Sequence, residues 1–156
     1  MPTAHDDTAT TWRDLADQLT PEQIRRFERY EQLLRSADDS EELLKEARWE
    51  AERNLNDVVE FGHIPLPSGI SHPGHWENDG TGTWTRTMEF SRRSVDRAAS
   101  DASDSSVYVD GVQAGDGAVT WSLFVLADDR APFTAEQARR FAAMIMAAAD
   151  ELERLR

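Results

Sequence analysis

Three of the chain's four histidines, His63, His72 and His75, fall within thirteen residues, with Glu77 and Asp79 close behind. Imidazole and carboxylate are ligands that zinc, iron and nickel accept. His63, His72, His75 and Glu77 are therefore the candidate ligands of a metal-dependent enzyme or sensor. Their spacing matches no established metal motif, and a real site needs rigid support behind its ligands. A polar surface loop is the plainer account. Two further clusters invite chemistry. Glu41, Glu42, Glu46, Glu50 and Asp57 resemble the helical carboxylates that hold magnesium, but a second facing acidic pair is not evident, and a solvated helix face explains them. Arg86, Arg92, Arg93 and Arg97 form the local basic cluster, candidates to grip an anion or an acidic partner, with charge balance as the alternative.

The chain lacks cysteine, so disulfides, thiolate zinc sites and thiol nucleophiles are excluded. No Gly-rich phosphate loop, nucleophile elbow or paired-histidine helix motif is present. No cofactor is implied, and the non-enzymatic reading is the stronger one. With 30 acidic and 17 basic residues among 156, the net charge is −13. Such a balance argues against direct nucleic-acid binding, which requires a basic face. An acidic decoy for a nucleic-acid-binding partner is a variant of the interaction reading. No apolar run reaches the roughly 20 residues of a membrane span and no signal-peptide pattern opens the chain, so a cytoplasmic protein is expected. Lys45 is the one lysine against sixteen arginines, a bias that points to a GC-rich genome.

The elements that must position these residues can be read from periodicity. Residues 1–10 are small and polar and read as a disordered tail ahead of one domain, 11–156. Thr11 and Asp14 have capping-box spacing for a short helix ending near Leu19. Thr20-Pro21-Glu22-Gln23 is a strong helix start, with Leu19 and Ile24 as its staple. Ile24, Phe27, Tyr30 and Leu34 mark the buried stripe, and the helix should stop at Arg35 to Ala37. Asp38 to Glu42 reads as a break and new start for a helix to Val59 whose stripe is Leu44, Ala47, Ala51, Leu55 and Val58. Glu46, Glu50, Arg53 and Asp57 take its solvated face.

Residues 61–82 hold five glycines and three prolines and read as a loop that packs through Ile64, Leu66, Ile70 and Trp76. Thr83 to Ser91 alternates as a strand, Arg92 to Ser106 as a long polar loop. Ser106 to Ala114 and Ala118 to Leu126 flank Gly115-Asp116-Gly117 as a hairpin, with Asp110-Gly111 as a possible bulge or rival turn. The last strand is apolar on both registers, through Val119, Trp121, Leu123 and Val125 and through Phe124 and Leu126, and should be covered on both sides, by the helices on one face and by a partner or the proline-rich loop on the other. A final helix from Thr134 buries Ala138, Phe141, Ala142, Ile145, Ala149 and Leu152. Met144 and Met146 lie to the side of that stripe. Five tryptophans are many for this length. Trp49 falls off its stripe, and with Trp76, Phe141, Met144 and Met146 it makes a candidate partner-binding or homodimer face.

Two stretches carry a resemblance. Thr11 to Ile24 (TWRDLADQLTPEQI) and Phe133 to Leu152 (FTAEQARRFAAMIMAAADEL) are similar to the opening and closing segments of small uncharacterised proteins of actinobacteria and their phages, together about a quarter of the chain. Related chains carry a Trp-Cys motif beside the pre-strand histidines, and that cysteine is absent here. The resemblance implies a host or phage accessory protein in the cytoplasm of a high-GC Gram-positive cell and transfers no activity. The expected architecture is α+β: an N-terminal helical hairpin (11–60), a three-stranded antiparallel sheet (83–127) and a C-terminal helix (134–155) packed on it. The expected function is non-catalytic binding of another protein, with no membrane partner.

Overall fold

The computed structural model describes residues 8–70, 72–95, 105–127 and 132–156. The chain divides into two compact units, Met1–His63 and Ile64–Arg156, where the periodicities alone had drawn one domain.

The first unit is helical. A 3-10 helix, Trp12–Gln18, opens where the Asp14 carboxylate accepts from the backbone N–H of Thr10 (2.9 Å) and of Thr11 (2.8 Å). Helix α1, Pro21–Glu31, starts with a reciprocal box: Gln23 N–H donates to Thr20 Oγ1 (3.2 Å) and Thr20 N–H to Gln23 Oε1 (2.8 Å). Helix α2, Ala37–Phe61, repeats the device two residues earlier than the acidic run suggested. Ser36 is the cap and Asp39 its reciprocal partner, at 3.2 and 3.0 Å, so Asp38 to Glu42 lie inside the first turns.

Trp12 stacks on Phe27 at 5.5 Å in a core that includes Leu15, Leu19, Leu43, Ala47 and Ala51. Ala9 is buried there too and its carbonyl accepts from Arg48 Nη2 at 2.8 Å, so residues 8–10 belong to the fold. The rest of the expected tail, 1–7, lies outside the described residues. Three apolar assignments change. Tyr30 is exposed because α1 ends at Glu31 and turns away; Leu55 and Val58 are exposed because the 25-residue α2 outruns the 11-residue α1.

The fourth change concerns charge: Glu50, assigned to solvent, is only 5% exposed. It accepts from Gln23 Nε2 (2.8 Å) and pairs with Arg26. Gln23 and Asn54 exchange amide hydrogen bonds at 2.7 and 3.2 Å, and Asn54 Nδ2 donates to the Gln18 carbonyl (2.8 Å). Burial of Glu50 is tolerated because both of its carboxylate oxygens find a partner, one in Gln23 and the other in Arg26.

The second unit is a sheet with a helix on it, α+β as expected. Among the described residues four strands, not three, form an antiparallel meander in the order β1 (Glu77–Asn78), β2 (Trp84–Val95), β3 (Ser105–Ala114), β4 (Val119–Leu126). The added strand, β1, sits in the glycine- and proline-rich segment. Glu77 pairs with Thr85, and Pro73 bridges to Met88, so this segment lies along β2 and closes that edge. Proline is acceptable there because an edge strand has one unpaired side.

β2 runs four residues beyond Ser91, so Arg92 and Arg93 are strand residues and not loop. A register shift between Glu89 and Ser91 hides this in the sequence. It lets Phe90 pack on Trp121 (5.7 Å, edge-on) while Ser91, Arg93 and Val95 continue on the same face. Residues 96–104 of the expected loop, Arg97 among them, lie outside the described residues. The hairpin turns at Gly117 (φ +90°), whose N–H donates to the Ala114 carbonyl at 2.8 Å; Gly111 is no turn but pairs with Trp121.

Helix α3, Ala135–Leu155, is capped by Thr134 and Gln137 (3.1 and 2.9 Å). It packs on β2, β3 and β4 through Phe141, Met144, Ile145, Ala148 and Leu152 over Val95, Val107 and Val109. Met144 thus lies on the buried stripe, and exposed Ala138 and Ala142 leave it.

One ion pair fastens α3 to β2. Glu151 accepts from Arg93 Nη1 (3.0 Å) and Nη2 (2.5 Å) and from Ser91 Oγ (2.6 Å). The hydrogen bonds from Arg93 hold its pKa down to about 2 against a reference of 4.5. A carboxyl depressed in the folded state adds stability above the unfolded value and loses it as pH falls through the folded one. Wild type should therefore lose about 2–3 kcal/mol between pH 5 and pH 2 that Glu151→Gln does not lose. Urea titrations of both proteins across that range measure the difference; parallel profiles would refute it.

Candidate functional site

The histidine loop does not assemble. Residues 72–78 run extended beside β2, with Gly74 N–H donating to the Thr87 carbonyl at 2.8 Å. At about 3.3 Å per residue such a run holds His72 and His75 about 10 Å apart. Glu77 is fixed by its pairing with Thr85, and His63 closes the first unit. Among the described residues no three histidine, aspartate or glutamate side chains gather where an ion could sit. Among the described residues no such cluster supports the metal assignment of His63, His72, His75 and Glu77. The loop's apolar members behave as expected in part: Ile64, Ile70 and Trp76 are buried, Leu66 is exposed.

The acidic face of α2 is answered by cations. Lys45 Nζ lies 2.7 Å from Glu42 and 3.6 Å from Glu41, while Arg26 lies 3.6 Å from Glu46 and contacts Glu50. The described members of the basic cluster, Arg86, Arg92 and Arg93, also have partners within the fold. Arg86 donates to Gln113 Oε1 (2.9 and 2.7 Å) and covers the Trp76 ring; Gln113, nearly fully buried, passes the interaction to the Pro65 carbonyl (3.0 Å). Arg92 pairs with Glu89 at 2.8 Å and lies over Tyr108, and Arg93 is held by Glu151.

One carboxyl in the sheet is perturbed. Asp110 is pushed above the usual carboxylate range, first by burial and then by the Glu89 charge across the strand pair, with Arg92 opposing. Its register neighbours are Glu89 and Ser122, neither of them an imidazole or an amine. A shallow groove of about 330 Å³ between the end of α1 and the start of α2 is lined by Tyr30, Leu33, Leu34, Asp39 and Glu46. It likewise brings no reactive pair together.

Of the candidate partner residues, Trp76 (3% exposed) and Phe141 (8%) are core, and Met144 packs beneath α3. Trp49 is exposed with the Arg53 guanidinium 4.6 Å over its ring, and Met146 is exposed. The apolar surface that periodicity missed is the end of β4. Phe124, Val125 and Leu126 are each about half exposed, so of the two covers expected for the second face the proline-rich loop is not the one that lies there. The reason is position: β4 is the last strand of the meander, its outer edge has no neighbour among the described residues, and α3 covers one face only. On the other face Phe124 stacks on Tyr108 (5.2 Å), which carries Arg92, with exposed Val112 on the same surface. A count of strands in chain order, ending on an uncharged one, was the available signal.

No helix among the described residues is long and apolar enough to cross a membrane. Comparisons of the chain with protein-family models, with curated proteins and with solved structures return no match.

Proposed function

We propose that this is a non-catalytic accessory protein that works by binding another polypeptide, and that the end of β4 is its docking surface. The observation that carries this reading is the run Phe124-Val125-Leu126, three consecutive exposed apolar residues on an open sheet edge. Such a run is unfavourable in water unless a partner uses it. The arginine bias and the two terminal segments support an origin in an actinobacterium or its phage, with a cytoplasmic site of action.

The test replaces Phe124 and Leu126 with aspartate, positions whose exposure leaves the core intact. Immobilised wild type should retain a polypeptide, whether from actinobacterial lysate or added as free copies of the chain itself, that the doubly substituted protein, with an unchanged circular-dichroism spectrum, releases. Equal retention by both would overturn the reading.

A further inference from the structure

The eight residues of β4, Val119–Leu126, include no charged side chain and no proline. Edge strands are ordinarily blunted by such residues, because a bare row of N–H and C=O groups templates another strand. In a chain of net charge −13, a neutral strand is where a second, equally acidic molecule can approach without repulsion. A basic partner would be met by carboxylates, and β4 offers none.

Helix α3 adds a second neutral surface. Glu151 reaches Ser91 and Arg93 on β2, while Phe141, Ile145, Ala148 and Leu152 belong to the core beneath the helix. At 3.6 residues per turn, the flank away from β2 then carries Ala138, Ala142, Met146 and Ala149. Met146 is 64% exposed. The charges bracketing this flank are Arg139 and Glu153, both exposed and each seven residues from Met146. Antiparallel placement of two α3 helices about a two-fold axis at Met146 brings Arg139 of each copy to Glu153 of the other. Self-complementarity of that kind is what an isologous interface requires.

We propose that the occupant of β4 is a second copy of this chain, in a two-fold dimer where β4 pairs antiparallel with itself and the Met146 flanks of α3 meet, Arg139 to Glu153. This deepens the binding reading and rests on β4 being the docking surface. The dimer makes one continuous sheet of the two and removes the open edge from each.

Light scattering of the full chain at roughly 50 μM should give twice the chain mass, a dissociation constant in the micromolar range or below. Met146→Glu sets two carboxylates together on the axis, and Val125→Lys restores a charge to the edge; each should weaken the dimer about a hundredfold. Arg139→Glu and Glu153→Arg should each weaken it about tenfold, because each removes two symmetry-related pairs, and together they should restore it. As the chain has no cysteine, Met146→Cys should be joined by a short bis-maleimide, and Arg140→Cys, on the β2 flank, should not. A wild-type monomer, or a dimer indifferent to these changes, overturns the proposal. A monomer that still retains a polypeptide through Phe124 and Leu126 overturns the dimer but keeps β4 docking; one that retains none removes both.

Discussion

Gly111→Val lowers the stability of the second unit by about 3 kcal/mol, at the upper end of what overpacking a filled core costs. Gly111 lies directly opposite Trp121 in the β3–β4 ladder, and the indole fills the space a side chain would take. A Cβ on Gly111 would stand 2.5 Å from Trp121 Cζ3 and 2.7 Å from Cε3. The ring cannot retreat easily, because Phe90 meets it edge-on and α3 lies over the same cluster. Backbone strain plays no part, since Gly111 is not among the positive-φ glycines. The cost is therefore steric and is relieved from the other side of the pair. Gly111→Ala alone should cost about 2 kcal/mol, and adding Trp121→Val should return part of it, a coupling that a double-mutant cycle in urea measures. Additive losses would mean that the close approach is not the cause.

Glu50→Ala is expected to destabilise the first unit by about 3 kcal/mol. The carboxylate is buried and joins α2 to α1 through Gln23 and Arg26. Removing one member of a buried charged pair costs about 3–5 kcal/mol when the pair is fully enclosed, and here Gln23 keeps Asn54 and Arg26 keeps Glu46. Arg26 is 37% exposed on its side chain and can turn to water, which places the value at the lower end. Replacing Glu50 and Arg26 together by leucine and methionine should recover most of the loss, since apolar groups of similar volume replace such pairs at little cost. Chemical denaturation of the single and double replacements tests this. A loss below about 1 kcal/mol for Glu50→Ala would show that the network contributes little beyond surface pairing.

Local rules carried far in this chain where the physics is local. The Thr20–Gln23 and Thr134–Gln137 boxes placed two helix starts, and Gly115-Asp116-Gly117 placed the hairpin. They failed where a distant neighbour decides. Glu50 reads as helix surface until Gln23 and Arg26 arrive from another helix. The polar run Arg92 to Ser94 reads as loop because a bulge at Phe90 breaks the alternation that would have extended β2. Trp76 read as a partner residue because its cover, Arg86, is supplied by a different segment. The histidines were close in sequence, but an extended segment keeps its neighbours apart, and only the pairing of that segment with β2 reveals it. The β4 run was visible as apolar in both registers, yet its exposure follows from the order of strands in the sheet, which no local window contains.

The central claim is that another chain covers β4 in solution, and amide hydrogen exchange along Val119–Leu126 tests it most directly. Alternate amides of this strand point away from β3, and no strand among the described residues pairs with them. The account predicts that all of β4 exchanges slowly at micromolar concentration, and that the outward amides become fast on dilution or in Val125→Lys while β3 stays protected. Outward amides that exchange freely in the wild type at every concentration would contradict it.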